Sequence, residues 1–116
     1  PMVALSRNLA NKHAMEMLLT GDMVPASRAT EMGLVNQVVP SAELRAASMA
    51  LAKKIAAKSS LTVATGKRAF YQQKEMDLAA AYNYASEIMV ENMLARDAEE
   101  GIAAFIEKRT PDWRDE

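Results

Sequence analysis

The stretch DAEEGIAAFIEKR, residues 97–109, decides the fold class, because it carries the sequence signals for both the start and the end of a helix. The run opens with Asp97 and has a Glu three residues later, which is the pattern of a capping box, and its acidic residues lie at the positive end of the helix dipole. It closes with two basic residues at the negative end. We therefore predict a helix over about residues 98–108. Gly101 inside it costs up to about 1 kcal/mol relative to alanine, which predicts that another group approaches closely there.

Helical periodicity extends through most of the remaining sequence. We expect Gly21 and Gly33 to end the first two of these helices, and Ser41 and Ser60 to cap the third and fourth. The predicted helices span residues 3–19, 25–32, 42–58, 61–73 and 77–94.

Residues 34–39, LVNQVV, are the exception to this helical pattern. They are rich in β-branched residues and end at Pro40, so we predict one short extended segment. A single strand has no partner in this chain. We therefore expect it to dock on other sequence or to remain an exposed loop, since buried unpaired backbone groups are costly.

The composition is that of an ordinary globular domain, and the helical periodicity makes the predicted fold mainly α. Half of the 116 residues are hydrophobic, and 14 basic against 15 acidic residues give a formal charge of -1, which argues against a nucleic-acid partner. No apolar run is long enough to span a bilayer. The absence of cysteine and the single histidine exclude thiolate and multi-histidine metal sites within this chain. We also expect the chain to be a fragment, because its opening residues do not read as a natural start.

Few side chains offer chemistry of their own. His13 could act as a general base, but it is flanked by Lys12 and stands alone on a helix, so we expect it to face solvent. Asp97, Glu99 and Glu100 could form a carboxylate pair or a cation site. Their place at a helix start already explains them, and we prefer the capping role.

The nine methionines and the last predicted helix carry the remaining candidates. Helical spacing places the methionines in a core or a subunit interface rather than on an adaptable binding surface. Phe105 and Lys108 are three residues apart and share a helix face, where a ring and an ammonium can hold a purine and a phosphate. A core Phe with a solvated Lys is the alternative that spacing alone favours. No glycine-rich phosphate loop is present.

Three phrases, in this order, are specific to one superfamily: LLTGD (18–22), GLVNQVVP (33–40) and EGIAAFIEKR (100–109). With them, essentially the whole chain resembles the carboxyl-terminal part of the enoyl-CoA hydratase/isomerase (crotonase) superfamily. Residues 1–7, 67–71 and 111–113 look closest to the enoyl-CoA hydratase domain-containing subgroup, some members of which lack the usual catalytic glutamate pair.

The resemblance implies the helical trimerisation region of the α/β crotonase fold, also called the ClpP/crotonase-like spiral. Residues 1–40 would then form the end of the spiral core and its connecting helices, and residues 41–116 the carboxyl-terminal helical trimerisation domain, within a homotrimer or a hexamer. The family's oxyanion hole and glutamates would precede this sequence, so no catalytic residue is assigned. Phe105 and Lys108 match the family's contacts to the adenine and phosphate end of coenzyme A, and Met89 falls on a further aromatic position.

The function implied is hydration of a 2-enoyl-CoA in fatty acid metabolism, with a coenzyme A thioester as substrate and with no cofactor or metal. We expect the 116 residues alone to be inactive. The alternatives are an isomerase, a thioester hydrolase, or a non-catalytic helical assembly module. The predicted location is cytoplasmic, with the mitochondrial matrix as the alternative.

Overall fold

The computed structural model describes residues 2–116, and within these residues the chain is mainly helical, as predicted. A 3-10 turn, Ser41–Glu43, precedes the fourth helix, and no β-strand occurs in the described part. The helices are α1 (Met2–Asn8), α2 (Asn11–Thr20), α3 (Ala26–Glu31), α4 (Leu44–Ala56), α5 (Ser60–Gln73), α6 (Leu78–Met93) and α7 (Arg96–Glu107).

The chain divides into two compact units, the first ending at Ala47 and the second running from Ser48 to Glu116. The small core of the first unit is built from Leu9, Ala14 and Met32, which are buried. Four partly buried side chains pack against this core: Leu5, Met17, Val24 and Leu34.

The single helix predicted over residues 3–19 is wrong, because the chain breaks between α1 and α2. Ala10 leaves helical geometry, with φ −59° and ψ 140°. Leu9 and Ala14 both belong to the core, yet on one continuous helix they would point about 140° apart. The break turns both side chains to the same side, which periodicity alone did not reveal.

Two glycines end helices as predicted. Gly21 and Gly33 have φ angles of 68° and 80°, which L side chains rarely adopt. The Gly21 N–H donates to the carbonyl of Met17 at 3.1 Å and so closes the last turn of α2.

Neither predicted serine cap is correct. At the 3-10 turn the capping position belongs to Pro40, and no side chain caps it. At α5 the cap is Ser59 rather than Ser60, because the Ser59 hydroxyl accepts a hydrogen bond from the Thr62 N–H at 3.2 Å.

The segment 34–39 forms no strand. Its first residue still bonds back to α3, since the Leu34 N–H donates to the Ala29 carbonyl at 2.8 Å. Val35 and Val38 are exposed. Within this chain the segment is an exposed loop, because the described residues supply no neighbouring strand; its docking on other sequence stays a prediction.

In the second unit, α5 packs against α6, and α6 contacts α7. Thr62 donates to Asn92 at 3.2 Å, and the Tyr84 hydroxyl donates to Gln72. Because early positions of α5 meet late positions of α6, the two helices are antiparallel. Asp77 caps α6 by accepting from the Ala80 N–H at 2.9 Å.

The close approach predicted at Gly101 is confirmed. A Cβ built on Gly101 would lie 3.2 Å from Cη2 of Trp113. The indole is held from its other edge, since Nε1 donates to the Ala57 carbonyl at 2.9 Å. A side chain at position 101 would have to displace this ring, whereas nothing lies within 4 Å of a Cβ built on Gly66.

These two glycines form a matched pair for a stability test. We expect Gly66→Ala to raise the free energy of unfolding by about 0.5–1 kcal/mol, the gain of alanine over glycine inside a helix. Gly101→Ala should give a smaller gain or a loss, because its methyl group meets the Trp113 ring. Urea unfolding followed by circular dichroism measures both. Equal gains would contradict the packing of Trp113 on Gly101.

Candidate functional site

Asp97 does not cap α7, so the preferred capping role is wrong. The capping position is Ala95, which has no side-chain hydrogen bond, and Asp97 lies inside the helix. Its carboxylate turns instead to the end of the chain and accepts from the N–H groups of Arg114 at 2.9 Å and Asp115 at 3.1 Å. Asp97 is only 3% exposed. A hydrogen bond from the Ser59 side chain, and then these backbone bonds, lower its pKa.

Asp115 completes this arrangement at the start of α5. Its carboxylate accepts from the N–H groups of Ser60 at 2.7 Å and Leu61 at 3.4 Å. The pKa of Asp115 is lowered, chiefly by hydrogen bonds from Ser60. We call the group formed by Ser59, Asp97, Trp113 and Asp115 the C-terminal clasp. It joins the starts of α5 and α7 to the chain end, and no local pattern in the sequence indicates it.

Glu100 and Arg109 form the second charged group of α7. The guanidinium of Arg109 donates to both Glu100 oxygens, at 2.5 and 2.9 Å, and its Nε donates to Glu107 at 2.5 Å. The Asp112 N–H also donates to Glu100, at 2.7 Å. The Arg109 hydrogen bonds, with the Asp112 bond second, lower the pKa of Glu100 to about 2.

These carboxylates therefore do not assemble a cation site. Asp97 and Glu100 are occupied by backbone and guanidinium donors, and Glu99 is exposed. Across residues 2–116 no group of three or more His, Cys, Asp or Glu side chains could hold a metal ion. His13 is half-buried on α2 rather than solvent-facing.

Phe105 and Lys108 both lie at the end of α7. The Phe105 ring is 85% exposed, so the alternative of a core Phe is wrong for the chain as described. Helix α7 ends at Glu107, and Lys108 is left-handed, with φ 55° and ψ 39°. The two residues are linked by a turn hydrogen bond, since the Lys108 N–H donates to the Phe105 carbonyl at 3.4 Å. The helical rule that gave them one face therefore does not hold at Lys108.

Met89, the third predicted site residue, lies on α6 and is 61% exposed. It belongs to a series of exposed apolar side chains on α6, on α7 and at Leu94 between them; those on the helices are Leu78, Tyr82, Met89, Val90, Met93, Ile102, Phe105 and Ile106. Placement of the methionines in the core of this chain is wrong for seven of the nine: Met2, Met15, Met23, Met49, Met76, Met89 and Met93 are exposed. Their assignment to a subunit interface stays a prediction.

The profile of the family named enoyl-CoA hydratase/isomerase matches residues 2–116. The chain belongs to this family. The family match confirms the predicted resemblance. The predicted subgroup is represented among the relatives: human enoyl-CoA hydratase domain-containing protein 3, mitochondrial, is 47% identical over all of this chain and 38% of its own length. The 2,3-dehydroadipyl-CoA hydratase of Escherichia coli is 34% identical over 95% of this chain and 43% of its own length.

Solved structures of the family have the same fold in this region. A crystal structure of an enoyl-CoA hydratase from Mycobacterium smegmatis superposes with a TM-score of 0.93 at 48% identity, over 97% of this chain and 44% of that one. The human domain-containing protein 3 gives 0.92 at 47% identity, over 97% and 45%. The chain thus spans less than half the length of these relatives. Among its described helices, none combines the length and apolar character needed to cross a bilayer.

The C-terminal clasp predicts that the fold loses stability in acid. A folded-state pKa below the unfolded value stabilises the fold above the unfolded pKa, roughly 4 for carboxyl groups. That stabilisation disappears as the pH falls through the folded pKa values of Asp97 and Asp115, which are both lowered, and through that of Glu100 in the neighbouring ion pair, which is about 2. We expect the emission of Trp113, the sole tryptophan, to shift to that of an exposed indole in this acid range.

Asp97→Asn tests the assignment, with Glu99→Gln as the control on the same turn of α7. The amide introduced at position 97 would bring N–H donors toward backbone N–H donors, so we expect the Trp113 emission to be shifted already at neutral pH. Glu99→Gln should follow the wild-type profile. Coincident pH profiles for Asp97→Asn and the wild type would show that the clasp does not depend on this carboxylate.

Proposed function

We propose that these residues are the assembly region, and part of the coenzyme A rim, of a crotonase-type enzyme that hydrates a 2-enoyl-CoA. The observation that carries the proposal is the exposed ring of Phe105, which lies three residues before Lys108 in the turn that ends α7. Family membership supplies the substrate class, a coenzyme A thioester, and addition of water to it needs no redox cofactor.

The rim is proposed from three side chains. An aromatic ring left 85% exposed is suited to stacking on a purine, which is worth roughly 1–3 kcal/mol where it has been tested on nucleic acids. The Lys108 ammonium would meet a phosphate, and Met89 would contribute a polarisable contact where some hydratases have an aromatic ring. The reacting groups, an oxyanion hole and acid–base glutamates, are assigned to no residue of this chain.

The assembly role is proposed from the apolar surface. The chain exposes 9522 Å², whereas a folded monomer of its mass, 12.7 kDa, is expected to expose about 6,200 Å². Eight large apolar side chains of α6 and α7, together with Leu94 between the two helices, are among those exposed. We propose that copies of the chain cover this surface, apart from Met89 and Phe105 at the rim, in a trimer or a hexamer, with residues 41–116 as the trimerisation domain and residues 1–40 ending the spiral core.

Two alternative functions would use parts of the same surface. The family name includes isomerases, and double-bond isomerisation or thioester hydrolysis would use the same rim with other acid–base groups. A non-catalytic assembly module would use the apolar surface but would not bind coenzyme A.

For the location, the vertebrate relatives named as mitochondrial favour the mitochondrial alternative over the cytoplasmic one.

The stacking contact gives the first test of the function. In the full-length gene product, we expect Phe105→Ala to weaken coenzyme A binding by roughly 1–3 kcal/mol, by analogy with bases stacked on aromatic side chains. Isothermal titration calorimetry measures the affinity. Ile106→Ala is the control, because it removes an exposed apolar side chain of the same helix turn without removing a ring. Equal affinities for Phe105→Ala and the wild type would remove Phe105 from the rim.

The second test concerns the chain by itself. We expect the purified 116 residues to leave crotonyl-CoA unchanged, because no residue of this chain is assigned to the acid–base or oxyanion groups. The ultraviolet absorbance of the conjugated thioester follows the reaction, with the full-length gene product as the positive comparison. Turnover by the purified chain would contradict the placement of all reacting groups outside it.

A further inference from the structure

Lys108 occupies a conformation that normally belongs to glycine. Left-handed geometry brings the Cβ of an L residue too close to the backbone, and the position that follows a helix is most often Gly for that reason. Two turn bonds hold it there: the Lys108 N–H donates to Phe105, and the Arg109 N–H donates to the Ala104 carbonyl at 3.0 Å. Backbone strain of this kind is concentrated at functional sites, so the Lys108 side chain is a candidate for function.

Arg109, the next residue, is fixed by its side chain as well as its backbone. Its guanidinium makes a two-bond pair with Glu100 and a third bond with Glu107. Glu107 and Arg109 flank Lys108 in sequence, so the network holds both neighbours of the left-handed residue. The pairing with two carboxylates raises the pKa of Arg109 further above its usual range.

The same network also decides the charge around Lys108. Glu100 and Glu107 are the carboxylates that pair within this part of α7, and Arg109 engages both. The Lys108 ammonium forms no ion pair with any of residues 2–116. An ammonium without an internal partner can neutralise an incoming phosphate, whereas one already paired to Glu107 would have to give up that pair first.

We propose that Arg109 is a positioning residue for the rim, which holds the left-handed turn at Lys108 and occupies Glu100 and Glu107 so that the ammonium stays open to a nucleotide phosphate. Arg109 itself touches no ligand in this proposal. The inference rests on the proposed function, because it takes Lys108 to be the phosphate contact. It adds a residue that acts through Lys108, and it names the carboxylates that would otherwise compete for the ammonium.

The experiment is a double-mutant cycle on the full-length gene product, with calorimetry of coenzyme A binding. We expect Lys108→Gln to lower the affinity about tenfold, the low end for a charge-assisted contact exposed to solvent. Arg109→Gln should cause a similar loss, and the double variant should be no weaker than either single variant. Arg96→Gln removes a cation at the other end of α7 and should retain wild-type affinity.

A rescue separates positioning from general damage. Adding Glu107→Gln to Arg109→Gln should recover most of the affinity, because the freed carboxylate that competes for Lys108 is removed. A loss that is additive with Lys108→Gln, or that Glu107→Gln does not recover, would overturn the inference. Should Arg109→Gln fail to fold, Arg109→Lys replaces it, since an ammonium cannot reproduce the planar fork that pairs both Glu100 oxygens while Nε reaches Glu107. Wild-type affinity for Arg109→Lys would overturn the inference.

Failure of the proposed function gives a different pattern. If neither Phe105→Ala nor Lys108→Gln changes the affinity for coenzyme A, the rim itself is wrong. If both weaken binding while Arg109→Gln does not, the rim stands and the positioning role is overturned. Lys108→Gly adds an independent check of the strain, because it should raise the melting temperature while lowering the affinity as much as Lys108→Gln.

Discussion

The buried carboxylate of Asp97 is the interaction on which the second unit depends. Burying a charge is costly unless hydrogen bonds satisfy it, and Asp97 receives donors from Ser59 and from two backbone N–H groups near the chain end. These donors come from two distant parts of the sequence, so one side chain fixes the start of α7 relative to α5 and to the tail. With the tail in place, Trp113 covers Gly101 and the Asp112 N–H reaches Glu100.

Local signals in the sequence predicted the elements well, because helices are governed by neighbours three and four residues apart. Gly21, Gly33 and the close approach at Gly101 were all readable in this way. The errors arose where a distant partner outcompeted a local one. Asp97 had the sequence context of a helix cap, but donors 17 and 18 residues away took its carboxylate. Leu9 broke a continuous periodic run because the core required it on the side of Ala14.

The candidate site was less predictable from the sequence than the helices were. Spacing alone favoured a buried Phe105, and only the resemblance to a known family made this residue and Lys108 candidates for a ligand. The left-handed geometry of Lys108 has no sequence signature, since a lysine there contradicts the usual preference for glycine. The role of Arg109 was equally hidden. Its bond to Glu100 closes a turn after the helix has ended, a pairing that helical spacing rules do not anticipate.

Buried polar side chains are satisfied within the described residues, whereas many large apolar side chains remain exposed. Among the described residues, every buried side-chain nitrogen or oxygen has a hydrogen-bond partner. Over the same residues no large side chain is fully buried, and the apolar faces of α6 and α7 remain open. The hydrogen bonds therefore specify the arrangement of α5, α7 and the tail within one chain. Apolar burial is the dominant favourable term in folding, so the proposed assembly would add hydrophobic stabilisation that the described residues do not supply among themselves. In that proposal the rim is arranged by hydrogen bonds within one chain, and the apolar faces of its helices are covered by other copies.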